Sequence, residues 1–324
     1  MMKRISIAIV ILSLAASPSL ADVELNEQLT LSGFIDMSSV NDDGDQSISM
    51  DQMEVDFIFN LDDGLSVRAD IEGGGDNSTK LEQAFISYDF APGWNVVMGK
   101  YLSISGWETA EPTGLYQYSV SSTLVYGGYQ HGLGVSYSAD KFGLFGSVVS
   151  SVWDGTDTDA EELGFEAQVT LKPVDAVTAK VAYLSEDMGD YTQGLFNGWA
   201  SYSAGPLTLA GELNLLSNWG ADDNGGTGLL GMVNYGLTDK IGITGRFSGL
   251  VLEIDEDTDT ELESEFTISP SYALADNWSI ITEAKFITKS REVTMRQRSG
   301  DVAGSVKHGG DDVQQYAIES LLSF

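Results

Sequence analysis

The chain has 324 residues, with 49 acidic against 16 basic side chains, a formal net charge of −33 and no cysteine. That charge excludes nucleic acid as a partner, because phosphate binding needs a basic surface. The missing cysteines exclude disulfides and thiolate metal sites.

The first element has the three parts of a secretory signal. Lys3 and Arg4 supply positive charge, Ile5 to Ala16 form an apolar run, and Pro18 precedes the small-residue site Ser19-Leu20-Ala21. The run is about twelve residues, short of the roughly twenty that a spanning helix needs. Cleavage after Ala21 is expected, leaving residues 22–324 as a single barrel domain. Loss of Lys3 and Arg4 takes the charge from −33 to −35. No later segment is apolar enough for a transmembrane helix. Barrel strands escape such a test, since only every second residue is apolar.

From Asp22 onward the period is two. Val177, Ala179, Val181 and Tyr183 alternate with Thr178, Lys180 and Ala182. Ile241, Ile243, Gly245 and Phe247 form another such series, as do Trp278, Ile280, Thr282, Ala284 and Phe286. Alternation places one apolar and one largely polar face on each strand. Short turns rich in Gly, Pro and Asp are expected at 61–64, 91–93, 138–140, 172–175, 204–206, 237–239 and 274–276. Longer polar stretches, at 40–50, 73–80, 102–127, 154–161, 186–193, 218–227, 252–261 and 289–312, separate them. Seven short turns make fourteen strands. Gln28 to Ser39 and Val313 to Phe324 bring the count to sixteen, within a range of twelve to eighteen. An even count lets the first and last strands pair antiparallel and leaves no edge.

The fold class expected is all-β, a transmembrane antiparallel up-and-down barrel without a second domain. A periplasmic sandwich or propeller would also alternate, but not with this rhythm of long and short connections. Trp94 and Trp278 follow short turns, and Trp153 and Trp219 sit at long-loop ends, where aromatic girdles would place them. Trp107 and Trp199 do not fit that pattern. In the last strand Phe324, Leu322, Ser320, Ile318 and Tyr316 share one face. This series resembles the C-terminal signal that the barrel-assembly machinery reads on outer-membrane proteins of Gram-negative bacteria.

The strand ending Val97-Met98-Gly99-Lys100-Tyr101 leads into a loop containing Ser105-Gly106-Trp107-Glu108-Thr109-Ala110-Glu111-Pro112-Thr113-Gly114. The arrangement resembles general bacterial porins, and the string from Glu82-Gln83-Ala84-Phe85 to this loop is similar to OmpL-like barrel porins. The resemblance implies an outer-membrane channel for passive diffusion of small hydrophilic solutes or ions, narrowed by a third loop, Leu102 to Gly127. It implies Glu108 and Glu111 as loop acids at the constriction and Lys100 as their basic wall partner. The chain departs from that family on its early strands, which offer Asp36, Glu54 and Asp56 with Arg68 as the lone base. It further implies lipid, lipopolysaccharide and the assembly machinery as partners, and a possible homotrimer.

With the apolar alternates facing lipid, the inner face would carry Asp36, Glu54, Asp56, Asp70, Glu72, Glu166, Glu212, Glu263, Glu265 and Glu283. Its bases would be Arg68, Lys100, Lys180, Arg246 and Lys285. Such a lining lowers the barrier to cations, so weak cation preference is expected. Asp255, Asp257, Asp259 and Glu261 alternate, as do Asp157 and Asp159 before Glu161. The glycine that turns a calcium-hand loop is missing, and these stretches read as solvated surface. No metal site or cofactor is expected. A plugged structural or adhesin barrel is the alternative function, and a barrel phospholipase a more distant one. The histidines are His131 and His308. His131 shares a face with Leu133 and Val135, but Ser136 lies on the opposite face and no serine nucleophile accompanies it. No catalytic residue and no enzyme activity are expected. Arg291, Arg296, Arg298, Lys307 and His308 make the stretch 289–312 the one basic patch, suited to lipopolysaccharide phosphates.

Overall fold

The computed structural model describes residues 23–74, 78–156, 158, 161–254, 259–296 and 302–324. The expected signal segment therefore lies outside the described residues. A two-residue strand β1 (Val23–Glu24) lies beside β2 (Leu29–Asp42), followed by β3 (Asp45–Asn60), β4 (Leu65–Gly74) and β5 (Thr79–Ala91). Next come β6 (Trp94–Leu102), β7 (Tyr129–Ser138), β8 (Phe142–Val149), β9 (Gly164–Val174), β10 (Val177–Asp187) and β11 (Thr192–Ala204). The chain ends with β12 (Leu207–Ser217), β13 (Gly225–Gly236), β14 (Ile241–Ile254), β15 (Asp259–Ala275), β16 (Trp278–Arg296) and β17 (Val302–Ser323).

Each strand from β2 to β17 pairs antiparallel with its sequence neighbours, and β17 pairs with β2. Setting aside β1, the seventeen-stranded sheet is a closed barrel of sixteen strands. Closure satisfies every ladder without an edge, which hydrocarbon requires. The seam is tied by Phe324, whose N–H donates to Gly33 O at 2.9 Å while its own carbonyl accepts from Gly33 N–H at 2.8 Å. Gly33 must be glycine here. A Cβ would lie 2.2 Å from Glu54 O and 2.9 Å from the Phe324 ring.

The outward face carries the apolar alternates, among them Ile86, Met98, Val181, Leu213, Phe247 and Ile318, all exposed on the isolated chain. A continuous band of this kind needs lipid, not water, around it. At the short-turn end Phe90, Trp94, Tyr137 and Phe142 form a chain of ring contacts with centroids 6.1, 5.0 and 5.6 Å apart. These rings form one stretch of an aromatic girdle. Ser320, the odd polar member of the C-terminal series, accepts a hydrogen bond from the Trp278 indole at 3.0 Å.

All seven expected short turns join consecutive strands. The long polar stretches differ from expectation. Most of 40–50, 252–261 and 289–312 is strand. β2 and β3 are joined at Asp43–Gly44, and the β16–β17 ladder runs out to the pair Arg296 and Val302. Beyond the membrane both faces of a strand are wet, so a ladder continues without apolar alternation. Arg291, Arg296, Lys307 and His308 fall on that hairpin, and Arg298 lies outside the described residues. Asp157, Asp159, Asp255 and Asp257 also lie outside them. The segment 103–128 between β6 and β7 has no strand and only one 3-10 turn, Pro112–Gly114. It folds into the barrel.

Candidate functional site

The third loop is fastened to opposite walls of the lumen. On one side the Ser103 hydroxyl donates to Glu166 at 2.5 Å and Gln168 donates to Ile104 O at 2.7 Å. The Gly106 and Trp107 amides donate to Asn197 at 3.2 Å and Glu212 at 2.7 Å. Gly106 has φ +92°, and a Cβ there would sit 2.5 Å from the Tyr126 ring. The residue type thus allows the turn that aims both amides at the wall. On the other side Thr244 donates to Tyr116 O at 2.7 Å, Ser119 to Glu283 at 2.6 Å and Ser122 to Glu265 at 2.5 Å. Tyr118 reaches β3, donating to Asp51 at 3.2 Å.

Apolar packing fixes one flank. Val97, Tyr101, Phe145, Val149, Leu184, Leu195 and Leu216 face inward from β6 to β12 and pack with Ile104 and Val152. Trp107 meets Trp199 edge-on at 5.2 Å, beside Leu230 and Met232. The inner face is therefore not polar throughout. Adjacent residues such as Leu215 and Leu216, or Leu229 and Leu230, are apolar on both faces and mask this in the sequence. Trp153 and Trp219 also depart from expectation. They form an edge-on pair at 5.2 Å against the inner core instead of a girdle.

The charged flank is centred on Arg246 of β14, which is fully buried. Its guanidinium pairs with Glu108 at 2.7 Å, donates to Ser119 O at 2.6 Å and lies 3.7 Å from Glu265. Glu265 is also held by Lys285 at 2.9 Å. Glu108 accepts further from Gln117 and the Ser121 amide, each at 2.7 Å. Burial pushes the Glu108 carboxyl above the usual range, and Arg246 and Ser121 pull it back only in part. Glu108 is therefore a loop acid facing a wall base, but that base is Arg246.

Lys100 does not take part. It shares the outward face with Met98, and its amine donates to Leu81 O at 3.2 Å. His131 lies opposite Lys100 on β7 and also faces outward, whereas Ser136 is buried on the inner face. The serine and histidine of a barrel hydrolase are not brought together there.

Arg68 pairs with Asp70 at 2.8 Å and Asp56 at 3.4 Å, and Glu54 lies beside them. Glu72 is held by Lys80 at 2.7 Å. Lys180 faces inward over the Trp199 ring at 5.3 Å. Glu212 accepts from Asn197, Asn214, Tyr126 and the Trp107 amide. Glu283 accepts from Ser119 and Ser269. Asp36 is buried on β2 with an oxygen lacking a partner. Several inner acids were not among those expected, among them Glu186 on β10, which accepts from Ser151 and the Val152 amide, and the two that follow. Glu319 is buried on β17, on the face opposite the Phe324 series, and alternation with Leu321 would have revealed it. Glu82 is concealed by a bulge. Asp70 pairs with Gln83 and Ile71 with Leu81, so Glu82 is the extra residue and turns inward.

Residues 47–318 match the family model described as "Putative beta-barrel porin-2, OmpL-like". The chain belongs to this family. It is a porin-like barrel of the Gram-negative outer membrane. No curated protein sequence matches it. Among solved structures it is similar to OmpT of Vibrio cholerae in a trimer form, with TM-score 0.65 and 12% identity over 91% of this chain and 99% of that one. It is also similar to Salmonella typhi OmpF in complex with daunomycin, with TM-score 0.67 and 13% identity over 94% of this chain and all of the other. An anion-selective porin from Comamonas acidovorans aligns with TM-score 0.58 and 14% identity over 91% of this chain and 99% of that one.

Proposed function

We propose that the barrel is a passive diffusion channel for small hydrophilic solutes or ions, narrowed by the loop 103–128 and weakly cation-preferring, and that it is no enzyme. The observation that carries this proposal is the loop's attachment across the lumen, from Glu166, Asn197 and Glu212 on one wall to Glu265 and Glu283 on the other. A segment so held reduces the free cross-section of the barrel. The sign of the preference rests on the inner charges. Asp36, Glu54, Glu82, Glu212, Glu283 and Glu319 face inward with no basic side chain within 3.5 Å among the described residues, whereas Arg68, Arg246 and Lys285 are each paired with acids. A net negative lining favours cations, the reverse of what is stated for the Comamonas porin.

The export signal 1–21, recognition of the Phe324 strand by the assembly machinery, and contact with lipid and lipopolysaccharide belong to the same proposal. A homotrimer is supported by the trimer form of OmpT. A non-conducting structural barrel is the second reading, favoured by the apolar packing of Ile104, Trp107 and Val152 against β6 to β13. Planar-bilayer recording separates the two. Stepwise conductance with a reversal potential of cation sign in a potassium chloride gradient is expected. A folded, inserted barrel that passes no current would leave the structural role, and a reversal potential of chloride sign would refute the selectivity.

A further inference from the structure

We propose that Glu54 on β3, Glu82 on β5 and Glu111 in the third loop bind a hard divalent cation, with calcium the best fit, and that this ion fastens the loop to the wall. One carboxylate oxygen of each lies within 4.8 Å of the other two. Glu54 and Glu82 are only 1% and 5% exposed. Nearby positive charge is committed elsewhere. Arg68 pairs with Asp70 and Asp56, and Lys80 pairs with Glu72, reaching Glu82 only at 4.0 Å. Gln52 donates to Glu54 at 3.0 Å, and the Tyr129 hydroxyl donates to Glu111 at 2.7 Å. The buried oxygens Glu82 Oε2 and Glu111 Oε2 have no hydrogen-bond partner.

Three carboxyl groups gathered out of water must hold protons or take up a counter-charge, and a divalent cation supplies that charge. Calcium takes oxygen ligands at 2.3–2.6 Å, so two ligands of one ion can stand up to about 5 Å apart. Magnesium, at 2.0–2.1 Å, reaches only about 4.2 Å and demands a regular octahedron. Asp56 and Asp70 border Glu54 with their own oxygens within 4.8 Å and extend the negative field. The chain also builds the geometry. The β5 bulge turns Glu82 inward, and a turn begun by Pro112 holds Glu111, with Gly114 N–H donating to Glu111 O at 3.1 Å. The proposal does not depend on whether the barrel conducts.

The test uses the full barrel refolded in detergent without lipopolysaccharide, which itself binds calcium. Terbium luminescence excited through tyrosine reports the site, because Tyr129 touches Glu111. A saturable signal displaced by calcium is expected, together with a thermal midpoint several degrees higher in calcium than in chelator. Glu54→Gln with Glu82→Gln should weaken terbium binding at least tenfold and abolish the midpoint shift. Asp222→Asn, on an exposed loop, should leave both intact. Should the double variant fail to fold, Glu111→Gln in the loop carries the same expectation. Equal wild-type midpoints in calcium and chelator would overturn the proposal, as would a full shift retained by these variants.

Discussion

Replacing Arg246 with methionine removes the one base that joins the third loop to β14 while nearly preserving side-chain volume. At 2.7 Å from Glu108, with an effective dielectric constant of about 20, the gross attraction is roughly 6 kcal/mol. Desolvation of the two ions offsets part of this, but removing one partner leaves the other buried and unpaired, at about 3–5 kcal/mol. Glu108 keeps its bonds from Gln117 and the Ser121 amide, and Glu265 keeps Lys285. The expected loss is therefore near the lower end, about 3 kcal/mol. Urea unfolding of the vesicle-inserted barrel, followed by tryptophan fluorescence, measures it. Trp107 packs on Trp199, so release of the loop also changes the native spectrum. Adding Glu108→Gln to Arg246→Met should recover about half of the loss, because it removes the stranded charge. A single-variant loss under about 1 kcal/mol with an unchanged spectrum would refute the reasoning, since an unpaired buried carboxylate cannot cost so little.

Lys100→Gln should leave the reversal potential unchanged, because Lys100 faces outward, whereas Arg68→Gln should move it toward stronger cation preference; bilayer recordings in a salt gradient compare them. Deleting Phe324 removes two hydrogen bonds at the barrel seam, about 1 kcal/mol each, and should lower the yield of heat-modifiable barrel on cold gel electrophoresis. Burial raises the Glu111 carboxyl above its ordinary value of 4.5, with the Tyr129 hydroxyl offsetting only part. A raised carboxyl holds its proton more tightly in the folded state. Its stabilising contribution is full below about pH 4.5 and is lost as pH rises through the folded value. In chelator the thermal midpoint should therefore fall as pH rises above about 4.5, and less steeply in Glu111→Gln; a midpoint that rises instead contradicts the assignment.

Lys100 is counted with the inner bases both on the alternation and on the likeness to general porins. Its parity with Val96 and Met98 in the strand sends it outward instead. That parity prevails, because a strand's pleat leaves its side chains no choice of face. Arg246 was legible as an inner base from the same alternation. Its pairing with Glu108 was not, since the two are 138 residues apart and meet only when the loop enters the barrel. The bulge at Glu82 reverses parity within one strand, and no local pattern marks it.

The sequence by itself determined the sixteen strands, the side of each that meets lipid, and the closing strand ending in Phe324. These are local properties, set by period two and by turn residues. The tertiary structure alone decided how far the strands run beyond the membrane, because there water wets both faces and composition no longer distinguishes strand from loop. It alone decided that an apolar core lines part of the inner wall from β6 to β12, beside the inward charges of Glu166, Lys180 and Glu212. It also decided that Glu54, Glu82 and Glu111 share one site, since contacts across a lumen depend on barrel closure and not on spacing along the chain.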